Sequence, residues 1–452
     1  MMPQRSPAPT QPRHRRSATG RQTRRRHPGA YTSRPSPCAA PCMHHRSASV
    51  PGALLLLALA VASAHAADTG WARTTLTYDG AAIGNLDGGV ARSSTYVGNL
   101  HLRSLMDLDR AAGWHDTHAY VDALWIHGGQ PDAFVGDAMG VNNLTAPPNL
   151  QLEEAWIEHN LAHANVSLLA GQYDVNSEFD RTQSGGLFLN SSFGIGPEFS
   201  QTGVDGPSIF PRTALGARVA YKPAAGVVLR AAVLDGVPLI RGHDTLRAFQ
   251  AGDGRLYVAE LALLDRPGAR PAPDARFRIG RNAMLPMYQG KLAIGAWHYT
   301  TTFDRLMPTG GRTTQRGATG YYAVADRTVA RDPHDSDRSL SLFAQLGVGD
   351  PDVARFGRYL GAGAVLAGPF ASRSQDELGL AIAVARNGHP YRQQAPRPTT
   401  ATERSIELSY LAQANNWLAV QPDLQYVVHP DTDPAVRNAL VFTLRFELST
   451  DL

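Results

Sequence analysis

The sequence predicts an all-β fold: one antiparallel barrel of membrane-spanning strands joined by long loops on one side. Three observations predict it. Apolar and polar residues alternate with a period of two in segment after segment, which places them on opposite faces of a strand. The polar face is repeatedly charged (Arg103, Asp107, Arg218, Glu260, Arg445, Glu447), and a dry core rejects unpaired charge while a wet lumen accepts it. The pattern runs from residue 71 to 449 without a clear linker. A soluble β-sandwich also alternates, but runs of about ten residues suit a tilted crossing of a bilayer.

The N-terminus changes the charge count of the mature chain. Residues 1–66 hold ten arginines and no Asp, Glu or Lys, and they end in the apolar run Ala53 to Ala64 and the small-x-small site Ala64-His65-Ala66. These are the parts of a secretory signal peptide. The apolar run is too short to cross a bilayer as a helix, which takes about 20 residues. The basic stretch ahead of it is long, and Met43 opens an ordinary signal peptide by itself. Residues 1–42 are therefore expected to lie upstream of the true start; the alternative is a basic arm that binds nucleic acid.

Removal of residues 1–66 from the 452 leaves 386. Ten of the 43 basic residues and none of the 39 acidic ones leave with them, so a net charge of +4 becomes 33 against 39, or −6. The basic excess belongs to the removed part and argues against a nucleic-acid partner. Cys38 and Cys42 are lost too, which leaves no disulfide and no cysteine metal site. Downstream, no apolar stretch approaches the 18 residues of a helical span.

The strands follow in order. Leu100, Leu102, Met106 and Leu108 interleave with Asn99, His101, Arg103, Asp107 and Asp109. Ala164, Val166, Leu168 and Ala170 interleave with His163, Asn165 and Ser167. Further runs cover 215–222, 257–263, 339–348 and 405–410. The last is the clearest: Leu440, Phe442, Leu444, Phe446 and Leu448 oppose Thr443, Arg445, Glu447 and Ser449. Gly, Pro, Asp and Asn clusters between runs read as turns. Long loops are expected at 128–149 and 304–316, on the pattern of long loops at one end of a barrel and tight turns at the other.

The densest polar segment is 171–181. Read as extended chain, Asp174, Asn176, Glu178 and Asp180 share a face, with Arg181 beside them and Tyr173 and Phe179 near. Planar polar groups with aromatic faces suit sugars. The same carboxylates could form a glycosidase acid–base pair or bind calcium through oxygens, although Glu178 and Phe179 stand where an EF-hand loop needs its glycine. The plain alternative is a hydrated channel wall. Residues 185–211 mix glycine and proline with phenylalanines, so they predict a structured loop with aromatic anchors that folds into the barrel and narrows it. Asn190, Glu198, Asp205 and Arg212 supply its polar groups. His159 and His163 have a zinc-like spacing, but the context reads as strand and lacks the metalloprotease glutamate; no metal is expected. His115 and Asp116 belong to no nucleophile motif, and G-x-S-x-G, P-loop and dinucleotide fingerprints are missing.

The segment SSFGIGPEFSQTGVDGPSIFPRTALGARVAYKP (191–223) closely resembles the hallmark region of the carbohydrate-selective outer-membrane porins, the OprB type. So do GQYDVNSEFDRTQSGGLFLNSS before it and ERSIELSYLAQANNWLAVQPDLQYVVHPDTDPAVRNALVFTLRF (403–446). GAWHYTTTFD (295–304) and GYYAVADRTV (320–329) resemble intervening strands more loosely. The resemblance implies a sixteen-stranded monomeric barrel that passes glucose and similar small sugars without a cofactor. It also implies a constriction lined by charged and aromatic side chains. Asp174, Asn176, Glu178, Asp180, Arg181, Asn190, Glu198 and Arg212 are the residues expected there. Outer-membrane lipid and the barrel assembly machinery are the implied partners. One departure stands: such barrels usually end in an aromatic residue, whereas Phe446 lies six residues before the end, with Leu448 on the same face.

The expected function is passive sugar diffusion across the outer membrane of a Gram-negative bacterium by a channel that is not an enzyme. Residues 1–66 form extension and signal, and 67–452 one barrel domain. The rivals are a soluble periplasmic carbohydrate hydrolase using Asp174 and Glu178, and a closed structural barrel.

Overall fold

The structure is a computed structural model, and it describes residues 70–238, 248–250, 252–265, 288–333 and 338–452. The signal, the Met43 start and the 66/67 boundary lie outside these residues.

Sixteen strands close into one antiparallel barrel in sequence order. They are β1 (Ala72–Gly89), β2 (Ser94–Asp107), β3 (Thr117–Gly128), β4 (Asn149–Leu161), β5 (Val166–Tyr173), β6 (Ala214–Ala224), β7 (Val227–Asp235) and β8 (Arg255–Asp265). The second half holds β9 (Gly290–Thr309), β10 (Arg312–Arg331), β11 (Ser339–Val348), β12 (Phe356–Ala367), β13 (Glu377–Asn387), β14 (Thr402–Asn415), β15 (Leu418–Val428) and β16 (Arg437–Asp451). β1 pairs with β16, from Thr75 opposite Asp451 to Gly89 opposite Arg437. Closure leaves no free sheet edge, as a strand protein in lipid requires.

Alternation translates directly into two environments. On β14, Ser405, Glu407 and Ser409 are fully buried, while Ile406 and Leu408 are exposed. Phe442 and Leu444 of β16 are exposed on either side of a fully buried Thr443. The exposed apolar residues continue round the wall through Leu168, Val219, Leu229, Leu292, Ile294, Leu342, Leu360 and Leu380. This outward aliphatic face is the lipid face; the polar face points into the barrel.

Four local expectations are corrected. Residues 304–316 are not a loop: β9 and β10 continue as a hairpin whose turn is Gly310-Gly311. Both glycines have positive φ, +59° and +76°, the geometry of the two-residue turn that matches strand twist. The run at 163–170 begins later than its pattern, since Ala162–Ala164 form a 3₁₀ turn and β5 starts at Val166. His163 is thus off the sheet, and His159 sits on β4 against the Thr117 hydroxyl at 2.9 Å. Leu108 and Asp109 leave the strand for a short helix, Leu108–Ala112, capped by the Asp107 carboxylate. Segment 174–181 is not extended, since it turns at once into the 3₁₀ turn Val175–Ser177.

Residues 129–148 and 174–213 form the long connections of one barrel end, and the second of these enters the barrel. Its aromatic residues are its keel. Phe179, Phe188, Phe193 and Phe199 are each at most 1% exposed. Phe199 stacks on Trp297 of β9, with centroids 5.1 Å apart and planes at 9°. Phe188 and Phe193 pack with each other and with Phe343 of β11. Burying such rings stabilises by about 1.5–3 kcal/mol each.

Candidate functional site

An inserted loop has many main-chain N–H groups and no sheet partner for them. Each one left unpaired away from water costs as much as a lost hydrogen bond. The wall supplies acceptors in the form of inward-facing carboxylates. Asp326 of β10 accepts from Gln183 N (2.7 Å), Ser184 N (3.0 Å) and the Ser184 hydroxyl (2.7 Å). Glu407 of β14 accepts from Leu189 N and, at 3.1 Å, Asn190 N. Glu260 of β8 accepts from Asp180 N at 3.1 Å, and Glu154 of β4 from Asp174 N at 3.2 Å. Glu403 of β14 does the same for two other connections, accepting from Ala138 N and Met139 N of the β3–β4 loop and Asp431 N of the β15–β16 loop at 2.6–3.0 Å. These carboxylates are almost wholly buried, and main-chain donors are what make their burial tolerable. Their strands lie far apart round the wall, so the loop is tied across the lumen.

Where the loop leaves β5 it turns at once. The Asp174 carboxylate accepts from Asn176 N at 2.8 Å and caps the 3₁₀ turn Val175–Ser177. The Asn176 amide donates to Gly194 O at 2.9 Å and Phe179 O at 3.1 Å. The alternate residues therefore do not share a face. Asp174, Asn176, Asp180, Asn190 and Glu198 are buried in the loop's packing, whereas Glu178 and Arg181 reach the open space. Asn190 caps the turn Ser191–Phe193 and donates to Gln425. Arg212 stands 3.7 Å from Asp205, half-exposed and apart from this group.

Glu178 is the centre of a charge ladder. Arg218 of β6 donates to it at 2.7 Å and to Glu158 at 2.8 Å. Arg230 of β7 stands 3.6 Å from Glu178 and 3.2 Å from Glu260. Lys291 of β9 stands 3.3 Å from Glu260 and donates to Arg181 O at 2.9 Å. Three carboxylates thus alternate with three cations. A small open cleft lies beside them, lined by Glu178, Arg181, Thr182, Gln183, Arg230, Leu264, Tyr288 and Lys291.

Burial pushes the Glu178 carboxyl up, but Arg218, Arg230 and the Tyr173 hydroxyl (2.6 Å) outweigh it and hold it below the usual carboxylate range. Asp180 has no such escort. Burial, then the adjacent Glu260, push it up to about 7, with Lys291 opposing. Burial and Asp180 raise Glu198 well above the ordinary range. Gly347 leaves the room its carboxyl occupies; a methyl there would overlap it.

A second ionic group lies on the opposite stretch of wall. Arg445 donates to Asp79 at 2.7 Å and Arg103 to Asp122 at 3.0 Å. His101 stands 3.1 Å from Asp122 and 3.7 Å from Glu153. These three could offer metal ligands, but the Arg103 guanidinium already occupies the Asp122 carboxylate.

Arg218 and Glu260 were visible in the sequence as charges on the polar face. Sequence reasoning misses Arg230, Tyr288, Lys291, Asp326 and Glu407 as site residues, because their partners lie far along the chain. Lys291, one of only two lysines after residue 66, is the one that composition could have flagged.

A family model described as carbohydrate-selective porin, OprB family, matches residues 91–449. Porin B of Pseudomonas aeruginosa is 26% identical over 414 residues, covering 82% of this chain and 86% of that protein. Among solved structures, the high-pH structure of Pseudomonas putida OprB aligns with a TM-score of 0.71 at 21% identity, covering 84% of this chain and 94% of that one. The low-pH structure of the same protein gives 0.52 at 18% identity, covering 84% and 93%. The structural likeness bears on the fold. Neither the soluble hydrolase nor the closed structural barrel gains support from any of these matches.

Proposed function

Since the chain belongs to the carbohydrate-selective porin family, OprB, and is an outer-membrane channel rather than an enzyme, we propose that glucose-like sugars cross it at the cleft beside Glu178. The observation that carries this is the pinned loop, which sets a ladder of alternating charges against an open space. A sugar is neutral, and its hydroxyls both donate and accept. Glu178 offers it acceptors, and Arg181, Arg230 and Lys291 offer donors, with Tyr288 as a flat apolar and polar neighbour. A small ion of either sign meets repulsion as well as attraction there. Pairing keeps each group partly satisfied, so the hold on sugar is weak, and weak sites let solute leave as readily as it enters.

Asp174, Asn176, Asp180, Asn190 and Glu198 serve this reading by shaping the loop; Arg212 stands at its exit. The working protein is residues 67–452 after export, a monomer that spans outer-membrane lipid and is inserted by the barrel assembly machinery. Conductance of the refolded mature chain in a planar bilayer, titrated with glucose and with a larger oligosaccharide, tests it. Stepwise channels that glucose partly blocks support the site. Channels indifferent to glucose but open to salt would remove the sugar site and leave an unselective pore.

A further inference from the structure

We propose that the outer rim of β12–β14 carries a binding site for the phosphate of an outer-leaflet lipid, formed by Arg358, Arg386 and Arg404. All three point outward. Arg358 precedes the exposed Leu360, Arg386 follows the exposed Ile382 by two pleats, and Arg404 precedes the exposed Ile406 and Leu408. The residues between them, Tyr359, Ala385 and Ser405, are buried on the lumen side. Arg358 lies directly opposite Arg386 in the β12–β13 register. Arg404 lies opposite Val384, one pleat from Arg386, in the β13–β14 register.

Like charges directly opposite on a sheet face destabilise it, and several other outward arginines stand beside a carboxylate. Arg437 meets Asp87 at 3.0 Å, Arg73 meets Asp451 at 3.3 Å, and Arg327 meets Asp265 at 3.8 Å. Arg358, Arg386 and Arg404 have no carboxylate partner among the described residues. The rim position also matters. Arg386 and Arg404 flank the connection 388–401, at the same barrel end as the loops 129–148 and 174–213. Long connections face the cell exterior, so the three guanidiniums stand at headgroup depth in the outer leaflet. Just below them the wall is aliphatic. Guanidinium forks match phosphate oxygens two at a time, and a phosphorylated lipid would set its phosphate among the arginines with its acyl chains along Leu360, Ile382 and Ile406.

The test uses the protein purified from outer membranes, delipidated in detergent, with native mass spectrometry as readout. The probes are bis-phosphorylated lipid A, dephosphorylated lipid A and inorganic phosphate. Wild type should retain the phosphorylated lipid at least tenfold better than the dephosphorylated one. The triple variant Arg358→Gln, Arg386→Gln, Arg404→Gln should lose that preference while keeping single-channel conductance, since none of the three faces the lumen. Arg73→Gln, at the other barrel end, should keep the preference. Equal retention of both lipids by wild type, or undiminished preference in a triple variant of normal conductance, would overturn the proposal. So would inorganic phosphate displacing the lipid at equal concentration, which would make the site one for free anion. If the triple variant fails to assemble, Arg386→Gln alone, at the centre of the group, should lower the preference severalfold, and no change there would count equally against it.

Discussion

Replacing Asp326 by alanine should release the inserted loop without breaking the barrel. The Asp326 carboxylate accepts from four donors: Gln183 N, Ser184 N, the Ser184 hydroxyl and the Tyr288 hydroxyl. Hydrogen bonds to a charged acceptor contribute about 1.5–3 kcal/mol each when the donor is left stranded. Gln183 and Tyr288 line the cleft, so water can replace part of the loss, and about 1 kcal/mol per donor is the better figure. Tyr288 lies outside the loop, so three donors count, and their sum, about 3 kcal/mol, changes the ratio of docked to undocked loop by roughly two decades. Trypsin reads this ratio, because Arg181 sits beside the anchored pair Gln183–Ser184, and cleavage tracks the open population when reclosing is fast. Cutting after Arg181 should accelerate by about two decades (about 3 kcal/mol at 1.4 per decade), and open-channel current should become noisier. Asp326→Asn keeps one acceptor oxygen and should fall between. An alanine variant that still resists unfolding in cold detergent, yet is cut no faster and conducts as before, would refute the view that wall carboxylates hold the loop.

Glu178→Gln should leave three cations facing two carboxylates in the ladder. Reversal potentials in a salt gradient should shift toward anions, and glucose block should weaken; unchanged selectivity with a lowered melting temperature would instead make Glu178 a purely structural residue. Asp180 predicts a pH dependence. Its carboxyl in the fold is raised to about 7, above the value near 4 of a free aspartate. The sign follows from linkage: the protonated acid's contribution is complete below about pH 4 and is lost as pH rises through about 7. Loop protection against trypsin should therefore decline between about pH 5 and 7 and level off above that in wild type, and stay flat in Asp180→Asn; a parallel decline in both would exclude Asp180 as the source.

Much of the barrel was legible because its information is local. Ser405 to Ser409 or Leu440 to Leu448 announce a two-faced strand within a few residues, and the phenylalanines of 185–211 announce a buried loop. What failed was equally local in appearance. The tip of the Thr- and Arg-rich hairpin, 308–314, is exposed on both faces, so no oily stripe marks it as strand. Residues 174–181 alternate in chemistry but not in direction, because Asp174 and Asn176 spend their side chains on neighbouring main chain. The site itself was only half visible. Alternation assigns Glu260, Asp326 and Glu407 to the lumen, yet each holds a main-chain group 80 to 218 residues away, and a pairing of side chain with backbone leaves no trace in the identity of the second residue.

The anchors also impose an order of events. The loop follows β5, but its main-chain ties include ones on β8, β10 and β14, so it cannot dock fully until those distant strands stand in the wall. Closing connections of that length before the distant strands exist is impossible, and non-local closure is slow in any case. The growing wall must therefore curl round an unplugged interior, and the filter is installed last. Selectivity is in this sense a maturation step: a channel caught before its final strands zip to β1 would be a wide, leaky hole, and the same carboxylates that later narrow it would be lying open to water.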